Sequence, residues 1–314
     1  DVLFTSGTMS LPKGVIVNSS AYLHVAKILN ARLDTNYNDI ELLSMPFYHS
    51  FGLTRLRCIL LCGASAIISD GLKKLPEIYK LSIANKITGL SLVPSGINIV
   101  KNLLRKKIKN FISTVKYFEI GSSSIDYEIK VWLKENFKNK IILHHYGMTE
   151  ASRSFLRERS NKNDFNAPDT WVGDILEDCS YKLSIEKNGS NSSEIGELMI
   201  KGPNLFQSYT DNKLNSDKLM NGWFRTGDIC EIKGGKVYLI GRSDNQINVG
   251  GFKVQAEVLE EIVKQLNSVK DCICLKSKSK IFGESITCVV ELKEINNKDN
   301  FLANIKNKFK NYPN

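Results

Sequence analysis

The chain has 314 residues, of which 42% are hydrophobic and 9% aromatic, enough for a folded core over about two domains. This composition argues against a disordered chain, and no apolar run reaches the roughly 18 residues that a membrane span needs. The net charge of +10 could indicate nucleic acid binding, and the segment from Lys101 to Lys116 is locally basic. Its apolar residues recur at helical spacing, however, so its lysines fit the solvated face of an amphipathic helix and we expect no nucleic acid partner.

Strand-like and helix-like segments alternate through the first part of the chain, which predicts an α/β layer architecture. The apolar run from Cys58 to Ser69 is interpreted as a buried strand that carries Gly63 in its middle. The predicted strands are Asp1 to Thr5, Ile40 to Met45, Ala66 to Ile68 and Gly89 to Val93, and the predicted helices are Ser19 to Asn30, a stretch after Phe51, Pro76 to Asn85 and Ile97 to Phe111.

From about residue 181 the pattern changes to hairpins. The strand-like segments Tyr181 to Ile185 and Glu197 to Lys201 flank a turn-rich stretch, and a second predicted hairpin turns at two adjacent glycines. After Gly241, a helical pattern from Ala256 to Val269 is followed by two short strands and a helical tail, which predicts a small α+β unit. We therefore expect a large domain over residues 1–243 and a small domain over residues 244–314.

The cysteine pattern indicates a reducing compartment. Seven cysteines are present, and an odd number argues against a disulfide framework. Neither Cys58 with Cys62 nor Cys272 with Cys274 has histidines nearby at zinc-ligand spacing. We expect reduced cysteines and a cytoplasmic protein. The chain starts at Asp1 without a signal-peptide pattern, and we expect it to be a piece of a longer protein.

The segment from Thr5 to Gly14, TSGTMSLPKG, concentrates groups that bind phosphate. Its hydroxyl side chains can donate to anionic oxygens, its glycines let backbone N–H groups approach, and Lys13 adds a positive charge. The spacing parallels the P-loop of nucleoside triphosphatases, but Pro12 replaces the second glycine and Gly14 replaces the residue that would hold magnesium. The segment is a candidate phosphate clamp of another kind, with a plain polar turn as the alternative.

A second candidate site is the string HYGMTE at residues 145–150. Glu150 offers a carboxylate for magnesium, Thr149 a hydroxyl, and Tyr146 a flat aromatic surface for a nucleotide base. Gly147 would let the backbone approach a ligand closely. Taken alone, the string could equally be an ordinary strand end. Two further strings follow it, GWFRTGD ending at Asp228 and GRSD at residues 241–244.

In this order, the four segments resemble the signature motifs of the adenylate-forming superfamily, which includes acyl-CoA synthetases, firefly luciferase and adenylation domains. The resemblance covers essentially the whole chain. It implies a large mixed α/β AMP-binding domain, present in part, followed by a small, truncated α+β C-terminal domain that rotates about a hinge at Asp244.

The resemblance also implies roles for individual residues. Lys13, His49, Thr149 and Glu150 would act in catalysis, with Glu150 holding Mg²⁺. His49, in PFYHSFG, would lie beside the acyl pocket and the thiol entry, with a structural histidine as the alternative. Gly251 would line the pantetheine tunnel. The residues implied to contact ATP or CoA are Thr5, Ser6, Gly7, Thr8, Lys13, Gly121, Ser122, Ser123, Tyr146, Gly147, Thr149, Asp228, Arg242 and Gly251.

The implied activity is ATP-dependent activation of a carboxylic acid to an acyl-adenylate, with release of pyrophosphate and then transfer to a thiol, most simply that of coenzyme A. One alternative is an adenylation domain that loads an amino or aryl acid onto the pantetheine of a carrier protein. Another is a nucleotide-binding module without catalysis, because Met9 and Ser10 replace the usual Thr and Gly. A separate departure is Asn248, which stands where many relatives carry lysine. The family's adenylation lysine would lie beyond Asn314, so we expect this chain alone to be weak or inactive.

Overall fold

A computed structural model describes residues 1–5, 13–125, 127–160, 164, 167–184, 194–243, 246–249, 252–279, 283–293, 301 and 305. The fold of these residues is mixed α/β. The strands are β1 (Val2–Thr5), β2 (Lys13–Ile16), β3 (Ile40–Leu43), β4 (Ser65–Ile68), β5 (Gly89–Leu92), β6 (Tyr117–Ile120), β7 (Ile141–Met148), β8 (Ala151–Glu158), β9 (Asp174–Ile175), β10 (Ser180–Ser184), β11 (Glu194–Lys201), β12 (Ser208–Tyr209), β13 (Leu219–Met220), β14 (Trp223–Lys233), β15 (Lys236–Arg242), β16 (Gln246–Val249), β17 (Phe252–Gln255), β18 (Val269–Ser279) and β19 (Gly283–Leu292). The α-helices are α1 (Ser19–Leu33), α2 (Ser50–Cys62), α3 (Leu75–Ala84), α4 (Pro94–Leu104), α5 (Ile108–Phe111), α6 (Tyr127–Asn136), α7 (Asn212–Lys218) and α8 (Ala256–Lys264).

The chain divides into two compact units. The first comprises Asp1–Lys182, Met199–Thr226 and Gly234–Val237, and the second comprises Leu183–Leu198, Gly227–Lys233 and Tyr238–Asn314. The domain boundary at residues 243 and 244 stays a prediction, and the predicted hinge, Asp244, lies outside the described residues.

A seven-stranded sheet organises the first unit, in the order β4-β3-β5-β6-β7-β8-β9. The five strands from β4 to β7 run parallel, and β8 and β9 complete the sheet in antiparallel pairing. The helices α2, α3, α4, α5 and α6 lie in the connections between the parallel strands, as parallel pairing requires. The alternation predicted from the sequence is therefore confirmed as a mixed α/β layer.

Side chains of the central strands alternate between two apolar layers. In β6, Phe118 and Ile120 join a large core cluster with residues of α3, α4, α5 and α6. Tyr117 points to the opposite face and joins Leu29 of α1 and Cys58 of α2 in a second cluster. Residues of β6 that share the face of Tyr117 therefore lie on the α1 and α2 side of the sheet.

Two segments differ from the sequence-based expectation. The strand predicted from Cys58 to Ser69 is wrong, because the run is divided between the last turns of α2 and strand β4. Gly63 ends the helix with φ of 71°, a left-handed conformation that glycine adopts at little cost. The single helix predicted over Ile97 to Phe111 is broken at Arg105, whose φ is 40°. Its apolar residues at helical spacing, Val100, Leu104, Ile108 and Phe111, are buried as expected.

Three smaller sheets complete the fold. One has the order β1-β2-β12, and another has the order β10-β11-β14-β13, with β15 also paired to β14. The predicted hairpin at Gly234 and Gly235 is confirmed, since both glycines have positive φ between β14 and β15. In the second unit, the sheet β17-β16-β19-β18 packs its apolar residues against α8. No helix in the described ranges has the length and hydropathy of a membrane span.

Candidate nucleotide and acid site

Three of the segments predicted to form the site follow neighbouring parallel strands. His49 comes after β3, Gly121 to Ser123 come directly after β6, and Thr149 with Glu150 comes directly after β7. Strands β3, β5, β6 and β7 are adjacent and parallel, so their carboxyl ends meet at one edge of the sheet. Ligands of open α/β sheets bind at this edge. The structure thus brings these segments to a common edge.

Thr149 and Glu150 are the two residues that connect β7 to β8. Met148 pairs with Ala151 across this tight hairpin, and the register shifts between Tyr146 and Met148. Gly147 occupies the irregular position, where a Cβ atom would lie 2.4 Å from the backbone nitrogen of Arg153. The hairpin therefore needs glycine there. This geometry presents the Thr149 and Glu150 side chains at the strand ends.

The Glu150 carboxylate is held by a residue far along the chain. The hydroxyl of Tyr209 donates a hydrogen bond of 2.9 Å to Oε1 of Glu150, and the backbone N–H of Phe206 donates one of 2.8 Å to the Glu150 carbonyl. Tyr209 lies in β12, opposite Val15 of β2. The segment from Phe206 to Tyr209 therefore connects the β7–β8 hairpin to the strand that follows the candidate phosphate clamp.

The ends of that clamp are held together by strand pairing. Thr5 lies directly opposite Lys13 in the antiparallel pair β1–β2. Gly14 packs so closely on Thr210 that a Cβ atom would lie 2.6 Å from its Oγ1. The connecting residues 6–12, which include the predicted contacts Ser6, Gly7 and Thr8, lie outside the described residues.

The strip after β6 is anchored by two adjacent histidines of β7. A Cβ atom on Gly121 would lie 2.0 Å from Cε1 of His145, so only glycine fits there. Ser122 has φ of 75°. His144 donates from Nε2 to the carbonyl of Ser123 over 3.0 Å. These contacts fix the backbone of the predicted adenine and acid strip.

His144 is held as a neutral ring. Its Nδ1 accepts a hydrogen bond of 3.0 Å from Nε of Arg159, which leaves the proton on the nitrogen that faces Ser123. Burial and then the positive charge of Arg159 lower the pKa of His144 to about 3. Arg159 also pairs with Asp169, whose carboxylate accepts from Lys130. Asp169 and Lys130 therefore hold Arg159, which holds His144 in contact with the carbonyl of Ser123.

A buried carboxylate, Glu119, lies directly beneath this edge of the sheet. Its Oε1 is 3.1 Å from Nε of Arg153 and 2.7 Å from Nδ1 of His145, and its Oε2 is 3.2 Å from Nε of Arg55. Burial alone would raise the pKa of Glu119, but Arg153, His145 and Arg55 hold it well below its ordinary value. Burial and Arg153 lower the pKa of His145. Glu119 is therefore ionised and His145 neutral.

A second buried carboxylate, Glu41, extends the same network. Arg55 forms an ion pair with Glu41, with one contact of 3.1 Å from Nε to Oε1. Ser91 donates to Oε1 over 2.6 Å, and the hydroxyl of Tyr117 donates to Oε2 over 2.7 Å. The network thus joins strands β3, β5, β6, β7 and β8 to helix α2.

Arg153 carries the network to the first turn of α2. Its Nη1 donates to the carbonyl of Ser50 over 3.3 Å and its Nη2 to that of Phe51 over 3.1 Å. His49 immediately precedes this turn and is exposed, with its ring centroid 4.6 Å from that of Tyr48. One buried cation therefore positions the helix start next to His49.

None of these supporting residues is among those predicted from the sequence. Glu41, Arg55, Glu119, Arg153 and Tyr209 are separated by up to 168 positions, so no short motif unites them. A signal was nevertheless available. Single charges inside otherwise apolar strands, as in the IELL of β3 and the YFEI of β6, indicate a buried and partnered group.

In the second unit, the structure brings together two predicted residues. Nη1 of Arg242 donates to Oδ1 of Asp228 over 2.9 Å, and Asp228 is almost fully buried. The backbone N–H of Gly227 donates to Oε1 of Glu197 over 2.9 Å, which fixes the loop before Asp228. Glu197 is not among the predicted residues. Gly251 lies outside the described residues.

Comparisons with known proteins agree with this arrangement. The model of the family described as AMP-binding enzyme matches residues 2–210. The acyl-CoA synthetase ALT10 of Alternaria alternata is 26% identical over 95% of this chain and 56% of its own length. The 4-coumarate–CoA ligase of Pinus taeda is 26% identical over 94% of this chain and 57% of its own length. The chain therefore spans a little over half the length of these relatives.

Among solved structures, the O-succinylbenzoate coenzyme A synthetase of Bacillus subtilis in complex with ATP and a magnesium ion has a similar fold. Its TM-score is 0.82 at 21% identity, and the match covers 99% of this chain and 64% of that one. The family match includes the clamp strands, the strip after β6, the β7–β8 hairpin and Tyr209. This chain belongs to the AMP-binding enzyme family.

Proposed function

We propose that the protein to which this chain belongs is an AMP-forming ligase, which activates a carboxylic acid with ATP and transfers the acyl group to the thiol of coenzyme A. The observation that carries the proposal is the junction at Glu150. Tyr209 donates a hydrogen bond to its carboxylate and lies opposite Val15 of β2, the strand that contains Lys13 and Gly14 at the end of the phosphate clamp. The CoA ligase names of the relatives support the class of reaction.

The arrangement suits chemistry at phosphorus. A carboxylate is a poor electrophile, and its attack on the α-phosphorus of ATP gives a mixed anhydride that a thiol can open. Positioning and charge neutralisation dominate such a reaction, so a nucleophilic side chain is not needed. Lys13, together with Thr5, Ser6, Gly7 and Thr8, would hold the phosphates.

A magnesium ion fits the donors at the β7–β8 hairpin. The carboxylate of Glu150 offers hard oxygen ligands at an edge of the sheet, and Tyr209 orients it. The hydroxyl of the adjacent Thr149 would lie near the reacting phosphate. Bound there with ATP, the ion would neutralise phosphate charge. The residues themselves would orient the phosphates and the acid.

The remaining predicted residues divide between the nucleotide and the thiol. Tyr146 and the strip from Gly121 to Ser123 would contact the base and the acid, and Asp228 would accept hydrogen bonds from the ribose, with Arg242 beside it. For thiol transfer, residues 244–314 would form a small domain that rotates about Asp244 and brings Gly251 to the pantetheine tunnel. We place this reaction in the cytoplasm.

The test measures ATP–pyrophosphate exchange by the full-length protein over a panel of aliphatic, aryl and amino acids, followed by mass spectrometry of acyl products formed with CoA. We expect exchange with at least one acid and a CoA thioester of the same acid. ATP binding without exchange on any acid of the panel would contradict the proposal and support a non-catalytic nucleotide-binding module.

A carrier protein in place of CoA is the second candidate acceptor. Loading of a carrier protein would use the same residues for the adenylation step, and the pantetheine arm of the carrier presents the same thiol as CoA. The same experiment separates the two acceptors, because exchange with an acid that yields no CoA thioester, but does acylate an added carrier protein, identifies carrier loading.

A further inference from the structure

Three cysteines of the second unit meet on two paired strands. Cys272 and Cys274 lie two residues apart in β18 and point to the same face, and Cys288 of β19 lies directly opposite Cys274. All three sulfur atoms lie within 4.8 Å of one another, and the sulfurs of Cys274 and Cys288 are 2.9 Å apart. Cys272 and Cys274 are buried, whereas Cys288 is exposed.

We propose that Cys274 and Cys288 form a reversible disulfide when the protein meets a peroxide, with Cys288 as the thiol that reacts first. The proposal is independent of the ligase activity. Directly opposite residues of an antiparallel pair have Cα atoms about 4.5 to 5.5 Å apart, and a disulfide spans about 4.4 to 6.8 Å. The bond can therefore form with little movement of the backbone.

The sulfur separation favours this bond over a metal site. Zinc–sulfur bonds of about 2.3 Å in a tetrahedral site would hold two sulfurs roughly 3.8 Å apart. The observed separation of 2.9 Å is shorter, so zinc would have to push the paired strands' side chains apart. Cys272 is then the neighbouring thiol that remains reduced.

The chemistry balances with hydrogen peroxide as the oxidant. The Cys288 thiol loses its proton, and the thiolate attacks a peroxide oxygen and breaks the O–O bond. The products are a sulfenic acid and a hydroxide, which takes up the thiol proton to give one water. The Cys274 thiol then attacks the sulfenic sulfur, the S–O bond breaks, and a second water leaves. Two thiols lose two hydrogens in total, and one peroxide is reduced to two waters. Two molecules of a small thiol such as glutathione reverse the reaction: the first attacks the exposed sulfur of Cys288 and releases the Cys274 thiol, and the second attacks the mixed disulfide, releases the Cys288 thiol and leaves as glutathione disulfide.

The test treats the full-length protein with hydrogen peroxide, digests it without reduction and identifies linked peptides by mass. We expect a peptide pair joined through Cys274 and Cys288, lighter by two hydrogens and separated by dithiothreitol. Because the bond closes the β18–β19 hairpin, the oxidised protein should also unfold several degrees higher.

Two variants make the test specific. Cys288→Ser changes an exposed side chain and should abolish the linked pair, while Cys272→Ala, the matched control in the same cluster, should retain it. The proposal is overturned if Cys288 is oxidised to sulfinic acid without linkage, or if Cys272 takes the place of Cys274. It is also overturned if Cys288 links two chains, or if the purified protein holds one zinc through these thiols.

Discussion

At the scale of single residues, the hydroxyl of Tyr209 contacts the side chain of Glu150, the carboxylate proposed to bind magnesium. Tyr209→Phe removes the 2.9 Å hydrogen bond to Glu150 and leaves the ring packed on Phe206. We expect normal folding. The magnesium concentration needed for half-maximal pyrophosphate exchange should rise about 5- to 10-fold, since one such hydrogen bond contributes about 1 kcal/mol.

Tyr181→Phe is the matched control, because it removes a tyrosine hydrogen bond of 2.9 Å to the carbonyl of Gly235 on the exposed surface. The magnesium titration of this variant should coincide with that of the unmodified protein. Equal shifts in the two variants would show that the Tyr209 hydroxyl has no special role at Glu150.

The buried ion pair of Glu119 and Arg153 should contribute much more to stability than an exposed pair. Glu119→Gln removes the buried carboxylate that pairs with Arg153 and leaves Arg55 paired with Glu41, so the free energy of unfolding should fall by about 3 to 5 kcal/mol. Arg32→Met breaks the exposed pair with Glu177 and should cost less than about 1 kcal/mol. Urea unfolding of both variants checks this, and comparable losses would contradict the structural account.

Candidate ligand residues that lie close together in the sequence can be proposed from short strings, and their roles stay predictions. For the supporting residues, the sequence signals that a charge such as Glu119 is buried but not which residue pairs with it. Thr149 and Glu150 lie in one string because a two-residue hairpin turn places both at the sheet edge. Glu119 and Arg153 act through a contact between β6 and β8, strands that do not neighbour each other in the sheet. Nothing in the local sequence encodes such a pairing, because it depends on the sheet order and on the cover provided by α2.

At the scale of the elements, the turn after β6 depends on the absence of a side chain at Gly121. Gly121→Ala would place a Cβ atom 2.0 Å from the ring of His145, which Glu119 holds in place. We expect loss of exchange activity and a lower unfolding midpoint. Gly96→Ala is the control, because its Cβ would meet only ordinary contacts from 3.4 Å in helix α4, where alanine stabilises. An active Gly121→Ala variant would contradict the close packing.

Strand β7 makes the fold sensitive to acid through His144. The pKa of its ring is lowered to about 3 in the folded protein by burial and by Arg159, against about 6.5 in the unfolded chain. The unfolded chain therefore binds more protons below pH 6.5, and the stability from His144 is complete above that pH and lost as pH falls toward 3. The free energy of unfolding should fall by about 2 kcal/mol from roughly pH 6.5 to 4.5 through this residue.

His144→Asn removes the titrating ring and retains a donor for the carbonyl of Ser123. Urea unfolding from pH 7 to 4 should show a shallower loss of stability for this variant than for the unmodified protein. His24→Asn in α1 is the control for replacing a histidine. A slope unchanged by His144→Asn would show that the ring is not held neutral.

The order of helices and strands in the first unit could be predicted from hydrophobic periodicity, but two interruptions could not. Cys58 to Ser69 is predominantly apolar, so composition alone favours one element. Gly63, in a left-handed backbone conformation, divides this run into the end of helix α2 and strand β4. Arg105 separates helix α4 from helix α5, although apolar residues continue at helical spacing on both sides of it. Hydrophobic periodicity predicts which side chains are buried. It does not predict where the backbone changes direction.

At the scale of the whole molecule, the family and the mixed α/β fold follow from four short strings in a fixed order. Each of these four strings contains the beginning or the end of a β-strand of the described chain. In the second unit, Asp228 from the middle of β14 meets Arg242 at the end of β15. Short motifs at strand ends can be recognised in the sequence, and the sheet brings neighbouring strand ends together in the fold.

Glu150 is the residue on which the proposed ATP-dependent activation of a carboxylic acid most depends. Glu150→Gln keeps an acceptor for Tyr209 and removes the negative charge, and Glu158→Gln, an exposed residue of β8, is the matched control. With the full-length protein and its preferred acid, ATP–pyrophosphate exchange should fall at least 100-fold in Glu150→Gln, on the scale of losing one electrostatic catalytic group, and stay unchanged in Glu158→Gln. Exchange by Glu150→Gln at the rate of the unmodified protein would contradict the account.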